Sequence, residues 1–184
     1  MNATIEHYKS TTEIKDILEI LNNSNDSIFI TGKAGTGKSS LLNYFVKKTN
    51  KKFVVLAPTG IAALNVGGQT IHSFFRFPPS IIQSNNIQYA YGREELFEKL
   101  EMVIIDEVSM VRADLMHGID MSLRLNRNLP YEPFGGVQMV FIGDLFQLPP
   151  VLTRKDKENI LNIFDGKYFL MLQFSIILNI ILKS

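Results

Sequence analysis

The sequence predicts an α/β domain in three layers, a parallel β-sheet with helices on both sides. Two observations carry this. Short runs that are apolar at nearly every position alternate along the chain with segments of helical spacing. Strands apolar throughout are those buried on both faces, as in a helix-covered parallel sheet. With 184 residues, the chain is long enough for one such domain and too short for two.

The elements follow in order. Ile14 to Leu21 repeats apolar residues at helical spacing and predicts a lead-in helix within a segment 1–26. Ser27 to Thr31 is a short β-rich run. Gly32 to Gly37 is a turn, and Lys38 to Lys48 reads as a helix. Phe53 to Ala57 is a second strand, closed by Pro58. Two short helices are expected at Ile61 to Val66 and Ile71 to Phe75, the second capped by Thr70. An irregular stretch runs from Pro78 to Gly92, and Arg93 to Leu100 is helical. Met102 to Ile105 is a strand ending in Asp106, Ala113 to Arg124 is helical by period, and Val137 to Ile142 is a strand ending in Gly143-Asp144. Lys47, Lys48, Lys51 and Lys52 are read as solvated cations near a helix C-terminus, favourable with its dipole.

Composition narrows the class. Hydrophobic residues make up 46% and charged residues 20% of the chain, a globular balance. The absence of cysteine removes disulfides and thiolate metal sites. A net charge of +1 gives no bulk signal for nucleic acid, so any such contact must be local. The N-terminus lacks a secretory leader pattern, and the longest apolar stretch, Phe174 to Leu182, falls short of the roughly 20 residues of a membrane span. A soluble protein is expected, cytoplasmic by default and nucleoid-associated in a bacterium, without a membrane partner.

The chemistry concentrates in three places. Gly32-Lys33-Ala34-Gly35-Thr36-Gly37-Lys38-Ser39 fits the phosphate-loop pattern in full, preceded by a strand and followed by a helix. Its N–H groups and the helix N-terminus are suited to cradle phosphate oxygens. Lys38 should reach the β- and γ-phosphates of ATP, and Ser39 should ligate Mg²⁺. Asp106 and Glu107 close the strand Met102 to Ile105. Asp106 should hold Mg²⁺ through water, and Glu107 should activate the attacking water. The third place is Gly143 to Pro150, where Gln147 is the candidate γ-phosphate sensor, with Asp144 either supporting it or serving as a turn residue after Gly143. Alone, the loop could be a Gly-rich turn and the acidic pair a solvated loop. Together, they describe a P-loop NTPase.

The segments Gly32 to Ser39, Ala57 to Pro79, Ile104 to Met110 and Gly143 to Val151 resemble motifs I, Ia, II and III of the Pif family. These are the petite-integration-frequency type DNA helicases of superfamily 1B, akin to RecD and Dda helicases. Pro133-Phe134-Gly135-Gly136-Val137-Gln138 also resembles that family. The resemblance implies a RecA-like fold over 27–151 and ATP-driven 5′→3′ movement on single-stranded DNA with duplex unwinding. It further implies roles in DNA repair, recombination and telomere maintenance. Pro58, Thr59, Gly60, His72 and Ser73 are similar to the family's single-strand contacts, with Thr59 and Ser73 able to donate to phosphate and His72 and Phe77 candidates to stack on or abut bases. Residues 76–92 lie where the family carries a small strand-separating wedge. Phe74 and Phe75 are read as core.

Three departures qualify the resemblance. No glutamine precedes the phosphate loop, the first being Gln69, which leaves adenine selectivity open. The motifs of a second RecA-like domain, with their arginine fingers, are absent. Beyond Val151 the match fades into a divergent tail, 152–184, which either completes this domain's sheet or has lost its partner. The expected activity is that of an ATP hydrolase and DNA helicase motor domain, with low turnover in isolation. Two alternatives are a nucleotide- and strand-binding remnant without helicase activity and a phosphate-loop nucleotide kinase, the latter disfavoured by the segment after Gly143.

Overall fold

A computed structural model of the chain describes residues 12–33, 35–144 and 178–181. The lead-in helix is α1 (Thr12–Asn23), followed by β1 (Ile28–Thr31), α2 (Lys38–Val46), β2 (Phe53–Ala57), α3 (Gly60–Asn65), β3 (Gln69–Thr70) and α4 (Ile71–Phe75). After an irregular stretch with one 3-10 turn come α5 (Glu94–Lys99), β4 (Met102–Ile105), α6 (Ala113–Arg127), β5 (Gln138–Gly143) and β6 (Leu178–Ile181).

The strands form one sheet in the order β3-β2-β4-β5-β1-β6, and every described pairing is parallel. Successive side chains on a strand point to opposite faces, and each face has its own core. Phe29, Leu56, Val103, Ile105, Met139 and Phe141 pack with residues of α4, α5 and α6. Ile28, Ile30, Val55, Ile104, Val140 and Ile142 pack with Ile14, Ile17 and Leu21 of α1 and with Leu41, Leu42 and Phe45 of α2. These are the three expected layers.

The sheet differs from the sequence reading at its margins. Gln69–Thr70 forms a two-residue edge strand against Leu56 and Ala57, too short for any periodicity to reveal. At the opposite edge residues 178–181 pair with β1, so of the two readings of the tail it is completion of this domain's sheet that the fold shows for these residues. Helix α6 runs to Arg127 rather than Arg124. Its end is fixed by Asn128 in the left-handed region and by Arg127, which donates to the carbonyls of Phe97, Leu100 and Gly135. Lys51 is not a free surface cation. Its Nζ donates to the Ser24 carbonyl at 2.6 Å and to Gln138 Oε1 at 2.7 Å. Gln138 in turn donates to the Asp26 carbonyl, so one buried amide ties β5 to the α1–β1 connection.

Candidate functional site

In a parallel sheet, all C-terminal strand ends share one edge, and ligands bind there. At this edge β1 ends at Thr31 and opens into the phosphate loop, β4 ends at Ile105 ahead of Asp106, and β5 ends at Gly143 ahead of Asp144. A cavity of about 330 Å³ lies between them, lined by Gly35, Gly37, Lys38, Ser39, Ser40, Asp106, Glu107 and Asp144. Residues more than one hundred positions apart in the chain thus meet around one space.

The loop has the required backbone. Gly35 and Gly37 have φ of 83° and 89°, in the left-handed region where a Cβ is strained. Gly37 stands at the N-cap of α2, and the Leu41 N–H donates to its carbonyl. Lys38 Nζ donates to the Gly32 carbonyl at 2.5 Å and to the Lys33 carbonyl at 3.0 Å. Its ammonium is therefore held inside the loop. Thr36 Oγ1 also donates to the Lys33 carbonyl. Ala34 lies outside the described residues.

The acidic pair is set by burial. Asp106 is 7% exposed. Its carboxyl is raised above the ordinary carboxylate range by desolvation, opposed by the Glu107 N–H that donates to it and by the Lys38 charge. Glu107 is raised too, first by desolvation and then by repulsion from Asp106, with Lys38 opposing and Asp144 adding a smaller repulsion. Glu107 itself sits in the left-handed region, at φ 51° and ψ 41°, and begins a 3-10 turn over Val108–Met110. A non-glycine residue there carries backbone strain, a pattern that clusters at functional sites.

The donor set suits a hard divalent cation. The Ser39 hydroxyl and the Asp106 carboxylate are oxygen donors lining the same cavity. Among the described residues no group of three or more His, Cys, Asp or Glu is arranged to hold a metal. Two protein oxygens of this kind suit a cation that is held also by substrate phosphates and water rather than by a protein cage.

The other candidate residues fall at the same edge, with one correction. Pro58, Thr59 and Gly60 follow β2 directly; Thr59 and Gly60 are exposed, and Thr59 Oγ1 caps α3 by accepting from the Ala62 N–H. Ser73 is exposed beside His72 on α4, and its N–H is already taken by the Thr70 cap. His72 is half-buried, and among the described residues its Nε2 has no hydrogen-bond partner. Burial lowers its pKa, reinforced by the charge of Arg112 and opposed by Asp114. Phe77 does not present its ring to a base. It is 6% exposed and stacks on Phe75 at 5.3 Å between centroids, because the left-handed Arg76 at the end of α4 turns the chain back and the Phe77 N–H donates to the His72 carbonyl. Gln147 lies outside the described residues.

Sequence reasoning missed Gly143 as a contact residue and the clamp around Phe134. Phe134 N–H donates to Asp120 Oδ1 at 2.6 Å, and Phe134 is itself left-handed at φ 52°. The run Pro133-Phe134-Gly135-Gly136 was the available signal.

Comparison with known proteins places this geometry. A family model described as PIF1-like helicase matches residues 8–173. The ATP-dependent DNA helicase PIF1 of Emericella nidulans is 35% identical over 184 residues, covering 92% of this chain and 24% of the relative. The ATP-dependent DNA helicase Pif1 of Campylobacter jejuni is 36% identical over 149 residues, covering 74% of this chain and 32% of the relative. Among solved structures, Pif1 helicase from Bacteroides in complex with ADP-AlF3 and ssDNA is 40% identical, with a TM-score of 0.87 over 95% of this chain. The present chain spans 42% of that protein.

Proposed function

The chain belongs to the PIF1-like helicase family, and from that premise we propose that its cavity binds Mg-ATP and hydrolyses it to ADP and phosphate. The observation that carries this is the single space shared by the phosphate loop, Lys38, Ser39, Asp106 and Glu107. The loop N–H groups receive the phosphate oxygens. Lys38 leaves the Gly32 and Lys33 carbonyls to face the β- and γ-phosphates, so nucleotide replaces two hydrogen bonds that the loop makes with itself. Ser39 and Asp106 would hold Mg²⁺, which when bound neutralises charge on the β- and γ-oxygens.

Glu107 orients water in line with the γ-phosphorus and takes its proton. A carboxyl raised toward neutrality by burial is a better proton acceptor than an ordinary surface glutamate. As water attacks, the bond from the γ-phosphorus to the bridging oxygen breaks, and the electron pair leaves with ADP. Gln147, supported by Asp144, senses the γ-phosphate. The exposed Thr59, Gly60 and Ser73, with Pro58, contact the backbone of single-stranded DNA from the same edge, using donors that read no sequence, and His72 abuts the bases. Residues 76–92 act as the strand-separating wedge. Movement runs 5′→3′ as one half of a two-domain motor. A cytoplasmic or, in a bacterium, nucleoid-associated location suits that work; among the described residues no helix is long and apolar enough to cross a membrane.

Calorimetric titration of Mg-ATP into the parent chain and Lys38→Ala tests the site. The variant loses the cation facing the phosphates, and affinity should fall at least tenfold, the scale of a charge-assisted contact. Equal affinity in both proteins would overturn the assignment.

A further inference from the structure

We propose that Gly143 is a positioning residue for Glu107, holding the turn that carries the general base by the absence of a side chain. The inference rests on the hydrolytic reading of the cavity. Strand β5 is paired through Phe141 with Ile105, the last residue of β4, and then runs on through Ile142 and Gly143. Gly143 therefore lies beyond the end of β4, alongside the turn that follows Glu107. A Cβ on Gly143 would stand 3.0 Å from Val108 Cγ1, 3.3 Å from the Val108 amide nitrogen and 3.3 Å from the Ser109 amide nitrogen. Two of these three atoms are backbone, and both belong to the turn.

Something must yield to such a Cβ, and the strand is the less free partner. On its other side β5 is paired with β1 from Val140 to Gly143, with Gly143 in register with Thr31, the residue before the phosphate loop. Its side chains are buried on both faces of the sheet. The turn has less to hold it: the Asp106 N–H donates to the Leu56 carbonyl, and among the described residues no strand pairs with the chain after it. Its first residue, Glu107, already occupies a left-handed conformation at φ 51°. Val108 is fully buried and resists movement toward the core. A few tenths of an ångström of displacement would therefore be taken up at Glu107, whose carboxylate faces the cavity. Misplacement of a reacting group by about 1 Å can cost 100-fold in rate. The smaller shift here should cost about tenfold in turnover and leave ATP affinity alone, because the atoms that a Cβ would meet belong to Val108 and Ser109 and not to the phosphate loop.

The test is a mutant cycle on the chain as it stands, with turnover measured at enzyme excess over Mg-ATP and affinity measured separately. Gly143→Ala should turn over about tenfold more slowly at unchanged affinity. In a Glu107→Gln background the same change should have no further effect, because the group that it misplaces is gone. Val108→Ala removes the nearest clashing atom, so Gly143→Ala should cost less in that background than alone. The Val108→Ala/Gly143→Ala double variant carries the comparison if the single variant does not fold. Undiminished turnover in Gly143→Ala, or an equal loss with and without the Glu107 carboxylate, would overturn the proposal. A parent chain with no turnover at all would instead overturn the hydrolytic reading on which it rests.

Discussion

Replacing Asp120 by alanine should cost about 3 to 4 kcal/mol of stability, although Asp120 lies outside the cavity. The carboxylate is 5% exposed. It accepts from two donors, the Phe134 N–H at 2.6 Å and Arg124 Nε at 2.9 and 3.0 Å. Hydrogen bonds to a charged group contribute roughly 1.5 to 3 kcal/mol each. Arg124 keeps its bond to the Pro130 carbonyl and is 22% exposed, so water replaces part of its loss. Phe134 has no such recourse. It is 3% exposed, its N–H would lose the carboxylate acceptor, and its left-handed backbone costs about 1 to 2 kcal/mol that the Asp120 bond offsets. For a chain of this size, 3 to 4 kcal/mol corresponds to a fall in Tm of roughly 6 to 16 °C. Asp120→Asn keeps an acceptor for Phe134 and should lose only about 1 kcal/mol. Thermal and urea unfolding followed by circular dichroism measure both. An alanine variant within 1 kcal/mol of the parent, or an asparagine variant as damaged as the alanine one, would refute the reasoning.

The Glu107→Gln chain should bind Mg-ATP as the parent does while turnover falls by roughly 100-fold or more, the usual range for a positioned general base; equal single-turnover rates would remove Glu107 from that role. His72 should make the fold acid-sensitive. Its pKa is lowered in the native state, so the native state binds fewer protons than the unfolded one below the ordinary value of about 6.5. The stabilisation is complete above that pH and is lost as pH falls toward the native value. Asp106 and Glu107, whose pKa values are raised, act in the opposite sense. The difference between parent and His72→Gln isolates the histidine. Urea midpoints at pH 7.5 and 5.5 should drop more in the parent than in the variant, and parallel drops would exclude it.

Much of the site was legible because its signals are local. A phosphate loop needs glycines at fixed offsets between a strand and a helix, and Gly35 and Gly37 have the left-handed φ that this requires. Thr70 caps α4 as its position implies, because an N-cap is a contact across three residues. Asp106 and Glu107 were legible as strand-end residues, although their burial depends on the neighbouring strands. What escaped reading was set by distance along the chain. Phe77 carries the aromatic character of a base contact, but its neighbours in space are Phe75 and the helix around Gly118. Asp120 and Phe134, or Lys51 and Gln138, meet only because the fold brings them together, and no spacing announces such pairs. Gly143 read as the end of a strand, whereas its importance is the space that it leaves beside Val108 and Ser109.

The order of the strands also has a consequence during synthesis. Strand β1 is made early, but its partner β5 follows 112 residues later, as Ile28 against Val140 measures. At translation rates of about 5 to 20 residues per second, β1 waits roughly 6 to 22 s for that neighbour. By then β2 and β4 can already have paired as a separate half-sheet. Over the same interval the apolar run Ile28-Phe29-Ile30 has both edges open, a template for any other extended chain nearby. The helices on either side of it, α1 and α2, are complete by Val46, and their side chains cover the Ile28 and Ile30 face. On the nascent chain that pair of helices is the first shelter β1 has, leaving Phe29 exposed on the opposite face until α4, α5 and α6 arrive.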